Sequence, residues 1–139
     1  AMGAGAGRGG GAAWEGGGRG HGGERARCLE ALARRIDEHA GELALLDTVD
    51  AGNALSGMRG DMDWTSKTLR YFAGLIAEIK GESSSHGPRH LNVTRRSPFG
   101  FAAKINAFNH PFRFCAEKAA APLAAGQCAV IKGAQQAPL

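Results

Sequence analysis

Between residues 99 and 132 the hydrophobic period changes twice, and this limits the possible folds more than anything else in the chain. Phe99, Phe101, Ala103 and Ile105 alternate with Gly100, Ala102, Lys104 and Asn106, a period of two that predicts a strand. Pro111 then falls where a helix would begin, because its missing N–H costs nothing in a first turn. Phe112, Cys115, Ala119 and Leu123 give that helix an apolar face, Pro122 lies near its end, and Gly126 supplies a stop. "CAVIK" (128–132) reads as a second short strand. Strand, helix and strand in this order make a βαβ unit with parallel strands and a right-handed crossover. Ligands of such sheets sit beyond the carboxyl ends of the strands. "NAFNH" (106–110) and "KGAQQ" (132–136) both emerge at that edge, so two polar clusters should face one crevice. Spacing leaves Asn109 two roles, a cap for the helix that Pro111 starts or one wall of a ligand site.

Helical patterns precede this unit. Across residues 24–46, Cys28, Leu32, Ile36 and Leu43, with Leu29 and Ala40 alongside, recur at three/four spacing and predict one amphipathic helix, weakened only locally by Gly41. "DAGNALSGMRGD" (50–61) is dense in Gly and Asn and reads as a loop or frayed junction. A second helix follows with Asp61 or Asp63 as N-cap. Trp64, Thr68, Tyr71/Phe72, Leu75 and Ile79 would be its buried stripe, and Gly81 its C-terminal glycine. "GESSSHGPRH" (81–90) is turn chemistry ahead of an extended "LNVTRR".

Composition sets the remaining bounds. Of 22 glycines, 12 fall in residues 1–23, so that stretch reads as a flexible Gly/Ala/Arg-rich segment and 24–139 as the ordered part. At 139 residues the chain holds at most one domain, and less than one well-buried core. "GAGRGG" and "GRGHGG" match GxGxxG, but neither follows a strand. Arg8 and Arg19 among glycines, with Trp14, give an alternative reading as an Arg-Gly-rich nucleic-acid-binding module. The net charge of +4 permits an anionic dinucleotide, but with charges of both signs scattered it implies no nucleic-acid partner. Cys28, Cys115 and Cys128 form no CxxC pair, which argues against a disulfide framework or a metal site and for a reducing, cytoplasmic setting. No apolar run is long enough for a membrane span, and the start lacks a secretory pattern.

The segment "SPFGFAAKINAFNHPFRFCAEKAAAPLAAGQCAVIKGAQQAPL" (97–139) resembles the first strands of the coenzyme domain in the aldehyde dehydrogenase superfamily. The family pattern there runs R-x-P-x-G, then I-x-P-W-N-F-P or a P-F-N-H-P variant, then K-x-A-P-A/L-L-A-A-G-N-x-V-V-x-K-P-x-E-Q-x-P. Upstream, "ERARCLEALARRIDEHAGELALLDTVDAGNAL" is similar to the family's leading helix pair and "TLRYFAGLIAEIKGE" to its next helix. The match spans about residues 24–139 and implies an α/β fold: N-terminal helices followed by the βαβ unit of an incomplete, Rossmann-like coenzyme-binding domain.

The resemblance implies an NAD- or NADP-dependent oxidation of a small-molecule aldehyde to a carboxylic acid, through a thiohemiacetal and a thioester. It implies a homo-oligomer for the full-length enzyme. Asn109 aligns with the asparagine whose amide donates to the developing oxyanion. Asn106, Ala107 and Phe108 align with positions lining the coenzyme cleft, and Lys132 with a lysine contacting the adenosine ribose. Gln135 stands where the family has a glutamate that accepts from the ribose 2′-hydroxyl, so NADP as well as NAD would be admitted. Gly133 replaces the family's proline, and "DAGNAL" lacks its Lys-Pro pair at a turn expected to be remote from the chemistry. The family's catalytic cysteine and base glutamate lie downstream of the matched segment. Cys115, on an apolar helix face, and Cys128, in a strand, are not expected to replace the nucleophile. His110 reads as a variant position, neither base nor ligand. The expectation is a fragment inactive alone, or an inactive truncated paralogue.

Overall fold

The computed structural model describes residues 21–138. Helix α1 (Gly22–Glu38), α2 (Ala40–Ala51) and α3 (Leu55–Leu75) are followed by a short 3₁₀ turn (Ile76–Glu78). A hairpin of β1 (Ser83–Ser85) and β2 (Leu91–Val93) comes next, then β3 (Phe101–Ile105), α4 (Pro111–Ala124) and β4 (Cys128–Lys132). Strands β3 and β4 pair in parallel, from Phe101↔Cys128 to Ile105↔Lys132. The expected βαβ unit is therefore present at the expected place. Gly126 ends α4 at φ +79°, a conformation that suits glycine.

The core lies where α1, α3 and α4 meet. Leu29, Ala33 and Ile36 of α1 pack with Met58, Met62, Leu69 and Ala73 of α3 and with Ala120 and Ala124 of α4. Small residues on α4 let that helix approach closely, and it packs against both the helices and the two strands. Arg70 on α3 donates to Asp37 on α1 at 2.6 Å, and this guanidinium holds the Asp37 carboxyl below its ordinary pKa.

Several boundaries and faces differ from the sequence reading. Gly22 and Gly23 belong to α1, whose first turn closes by the His21 N–H donating to the Glu24 carboxylate at 3.2 Å. The rest of the Gly/Ala/Arg segment, with Arg8, Trp14 and Arg19, lies outside the described residues. The expected single helix over 24–46 breaks at His39 (φ −110°, ψ 14°), and Cys28 and Leu32 are exposed while Leu29 and Ala33 face the core. The loop at 50–61 shrinks to residues 52–54, so Asp61 and Asp63 lie inside α3 and cap nothing. The aromatic stripe is not the buried one: Trp64 and Tyr71 are 54% and 63% exposed. Helix α3 carries two apolar stripes, and α1 covers the one built on Met58, Met62 and Leu69. Trp64, Tyr71 and Phe72 instead line an open cavity of about 440 Å³ with Lys104, Glu117 and Lys118.

Gly81 does not end a helix either. A Cβ there would stand 2.1 Å from the Thr94 carbonyl oxygen, so glycine permits the base of the hairpin to close. In β3 the alternation holds, but Phe101, Ala103 and Ile105 point away from α4, and Phe101 and Ile105 are exposed. Cys115 is also exposed rather than on the buried face of α4.

Candidate functional site

The parallel ladder runs one bond past Ile105, because the Asn106 N–H donates to the Lys132 carbonyl at 3.1 Å. This joins the two strand ends and brings the polar clusters at 106–110 and 132–136 to one edge. Asn106 is 7% exposed, yet neither Oδ1 nor Nδ2 has a hydrogen-bond partner. An orphaned buried amide is costly, and it is the kind of group that a bound ligand satisfies. Ala107, Phe108 and Asn109 are exposed. Lys132 is exposed with Nζ donating to the Gly133 carbonyl at 3.1 Å, and Gln135 is exposed three residues on.

Asn109 does not cap α4. The N-cap is His110, and the side chain of Asn109 makes no hydrogen bond among the described residues. Its backbone is held: the Asn53 side-chain amide donates to the Asn109 carbonyl at 2.9 Å. The turn "DAGNAL" thus lies against the candidate site, contrary to the expectation that it is remote.

Two buried carboxylates from the helical layer meet the start of α4. Asp47 of α2 accepts from the Phe112 N–H at 3.3 Å, satisfying a free helix donor that no local side chain reaches. Burial pushes the Asp47 carboxyl above its ordinary pKa, the Phe112 N–H opposes this, and Oδ2 has no partner. Asp61 of α3 lies 2.5 Å from His110 Nδ1 and accepts from Arg113 Nη1 at 3.3 Å. Arg113 also donates to Glu117 at 2.9 Å and stacks its guanidinium 5.1 Å from the Trp64 ring centre. Glu117 above all, then Asp61, raises the Arg113 pKa, so this cation stays charged. His110 is therefore part of a network rather than a bystander.

Sequence reasoning gave Asn53, Asp47 and Arg113 no role, and Asp61 only that of a helix cap. One signal was available: Asp47 sits three residues after Ala44, and Asp61 three after Met58, so both acids occupy core-facing helical positions. Although Cys115 is open to solvent on one side, the atoms around its thiol desolvate it enough to push its pKa up, which disfavours the thiolate. No three metal-ligating side chains gather among the described residues, and none of their helices is long and apolar enough to cross a membrane.

Comparison with known proteins identifies the family. The model of the aldehyde dehydrogenase family matches residues 14–139. An aldehyde dehydrogenase of Talaromyces stipitatus is 38% identical over 120 residues, 84% of this chain and 23% of that protein. Betaine aldehyde dehydrogenase of Vibrio vulnificus is 38% identical over 117 residues, 84% of this chain and 24% of its own length. The NAD+ complex of aldehyde dehydrogenase from Bacillus cereus superposes with a TM-score of 0.83 at 34% identity, over 91% of this chain and 25% of that one. An Escherichia coli NADP-dependent enzyme gives 0.87 at 28% identity, over 92% and 27%. The chain spans about a quarter of the relatives it matches. By sequence match and by fold, the chain belongs to the aldehyde dehydrogenase family.

Proposed function

We propose that residues 24–139 form the N-terminal part of the coenzyme domain of an NAD(P)-dependent aldehyde dehydrogenase, with Asn109 as its oxyanion donor. The observation that carries this is the state of Asn109 itself. Its carbonyl is held by Asn53 while its side-chain amide is uncommitted at the carboxyl edge of β3. Addition of a thiolate to an aldehyde carbonyl places negative charge on oxygen, and a fixed N–H nearby stabilises that charge. The thiolate and base have no counterpart in these 139 residues.

The other residues at this edge fit a nicotinamide dinucleotide, which when bound accepts hydride from the substrate carbon. Asn106 offers a buried amide with free donors and acceptors, and Lys132 a cation one strand away for ribose hydroxyls or phosphate. Ala107 and Phe108 would flank the ring system. Gln135 carries no charge to repel a 2′-phosphate, so both NAD and NADP are accepted. Gln135→Glu should weaken NADP binding relative to NAD; equal binding of both by the variant would refute that role. Three free cysteines suit a reducing, cytoplasmic setting.

The central test is Asn109→Ala in a complete dehydrogenase carrying this segment. A fall in kcat of about 10²–10³ is expected, and an unchanged kcat would refute the assignment. The 139-residue chain alone should form no NADH from aldehyde and NAD; measurable formation would show that the nucleophile lies within it.

A further inference from the structure

Asp61 grips the junction between β3 and α4 from both sides of Pro111. Its side chain, 8% exposed, sets one oxygen against His110 Nδ1 and the other against Arg113 Nη1. An ionised carboxylate only accepts, so the ring nitrogen facing it carries the proton. His110 is fixed on a second side by the Phe114 ring, edge-on with centroids 5.6 Å apart. Arg113 is fixed by Glu117 and by Trp64. His110 therefore cannot rotate without losing a charge-assisted contact, and Asn109 is the residue next to it.

We propose that Asp61 and His110 are positioning residues that hold the Asn109 amide in the direction where substrate charge develops. The inference rests on the reading of Asn109 as oxyanion donor. The pair acts through the backbone: Asp61 holds the His110 ring, Asn53 holds the Asn109 carbonyl, and the peptide between them has little freedom left. Asp47 on the Phe112 N–H fixes the helix start one residue beyond Pro111.

The test uses a complete dehydrogenase carrying this segment, with Asn109→Ala, His110→Ala, His110→Asn, Asp61→Asn and the double variant Asn109→Ala/His110→Ala. A misplacement near 1 Å costs about a hundredfold in rate, so His110→Ala and Asp61→Asn should lower kcat by about 10- to 100-fold. The KM for coenzyme should stay within about twofold, because uniform binding is untouched. In His110→Asn the amide nitrogen takes the place of Nδ1, so most of kcat should return. The double variant should be no slower than Asn109→Ala alone, since the histidine acts only through the asparagine. If Asn109→Ala slows the enzyme while His110→Ala does not, or if the two losses multiply, the positioning role is overturned and the role of Asn109 stands. If Asn109→Ala leaves kcat unchanged, both fall.

A second readout is independent of turnover and of the buried acid, should Asp61→Asn fail to fold. In the 139-residue chain the backbone N–H of Asn109 should show the NMR order parameter of rigid backbone, about 0.85, both with His110 in place and in the His110→Asn variant. In His110→Ala it should fall toward the flexible range, below about 0.6. An unchanged order parameter in His110→Ala would refute the clamp.

Discussion

Replacing Asn106 with leucine should stabilise this chain. Asn106 is 7% exposed, and both polar atoms of its side chain lack partners. Its backbone bond to Lys132 does not depend on the side chain and survives the change. A buried polar group without a partner costs about 1–3 kcal/mol. Leucine branches at Cγ as asparagine does, and its bulkier methyls lie between the exposed Ile105 and Ala107, where the strand end can give. Asn106→Leu is therefore expected to raise the unfolding free energy by about 1–3 kcal/mol. At roughly 4 °C per kcal/mol for a chain of this length, the Tm should rise by about 4–12 °C. Urea unfolding followed by circular dichroism checks it: the midpoint rises while the slope m stays constant. A lower midpoint would refute the reasoning, because it would mean that the amide is bonded in the folded chain. In a complete dehydrogenase the same variant should bind coenzyme about tenfold more weakly, the worth of about one hydrogen bond. Stability gained with binding lost is the signature of a polar group retained for function.

Three further outcomes follow from the packing and the charges. Leu69 is fully buried in the core, so Leu69→Ala should cost about 2–5 kcal/mol in the same urea assay. Burial raises the folded-state pKa of Asp47, so the folded chain holds that proton more tightly than the unfolded one. The contribution is greatest below the unfolded value and is lost as pH rises through the folded value; Asp47→Asn should remove that decline from a plot of stability against pH. Phe101 and Ile105 expose an apolar strand face, so the chain should self-associate with rising concentration, and Phe101→Lys/Ile105→Lys should sediment as a monomer.

What the sequence makes legible is local chemistry. The βαβ unit is readable because the period shifts at Pro111 and Gly126, two residues whose backbone preferences act on their own neighbours. The faces are not readable in the same way. Alternation in β3 separates Phe101 from Lys104 but does not say which side α4 will cover, and tertiary packing decides this. Helix α3 shows the same ambiguity: an aromatic stripe lies beside a methionine and leucine stripe, and packing against α1 and α4 buries the second while Trp64 and Tyr71 stay exposed. The break falls at His39, two residues before the Gly41 that weakens the pattern, with no Gly or Pro at the break itself.

The proposed site shows its central residues in the sequence and hides their supports. Asn109 and Asn106 stand out because they end a strand, whereas their partners are far away in sequence: Asn53 lies 56 residues before Asn109, Asp61 49 before His110, and Asp47 65 before Phe112. Each support answers a need that the βαβ unit cannot meet itself. A helix starting at Pro111 has free N–H groups, and its N-cap His110 makes no capping bond, so the acceptor must come from another element. Asp47 and Asp61 occupy core-facing positions where acids are otherwise expensive, and the positive end of α4 offsets that expense. The helices that precede β3 therefore do more than pack against α4. They hold the turn that carries Asn109, so under the proposed role of that residue a substitution on α2 or α3 disturbs the chemistry without touching a residue of the crevice.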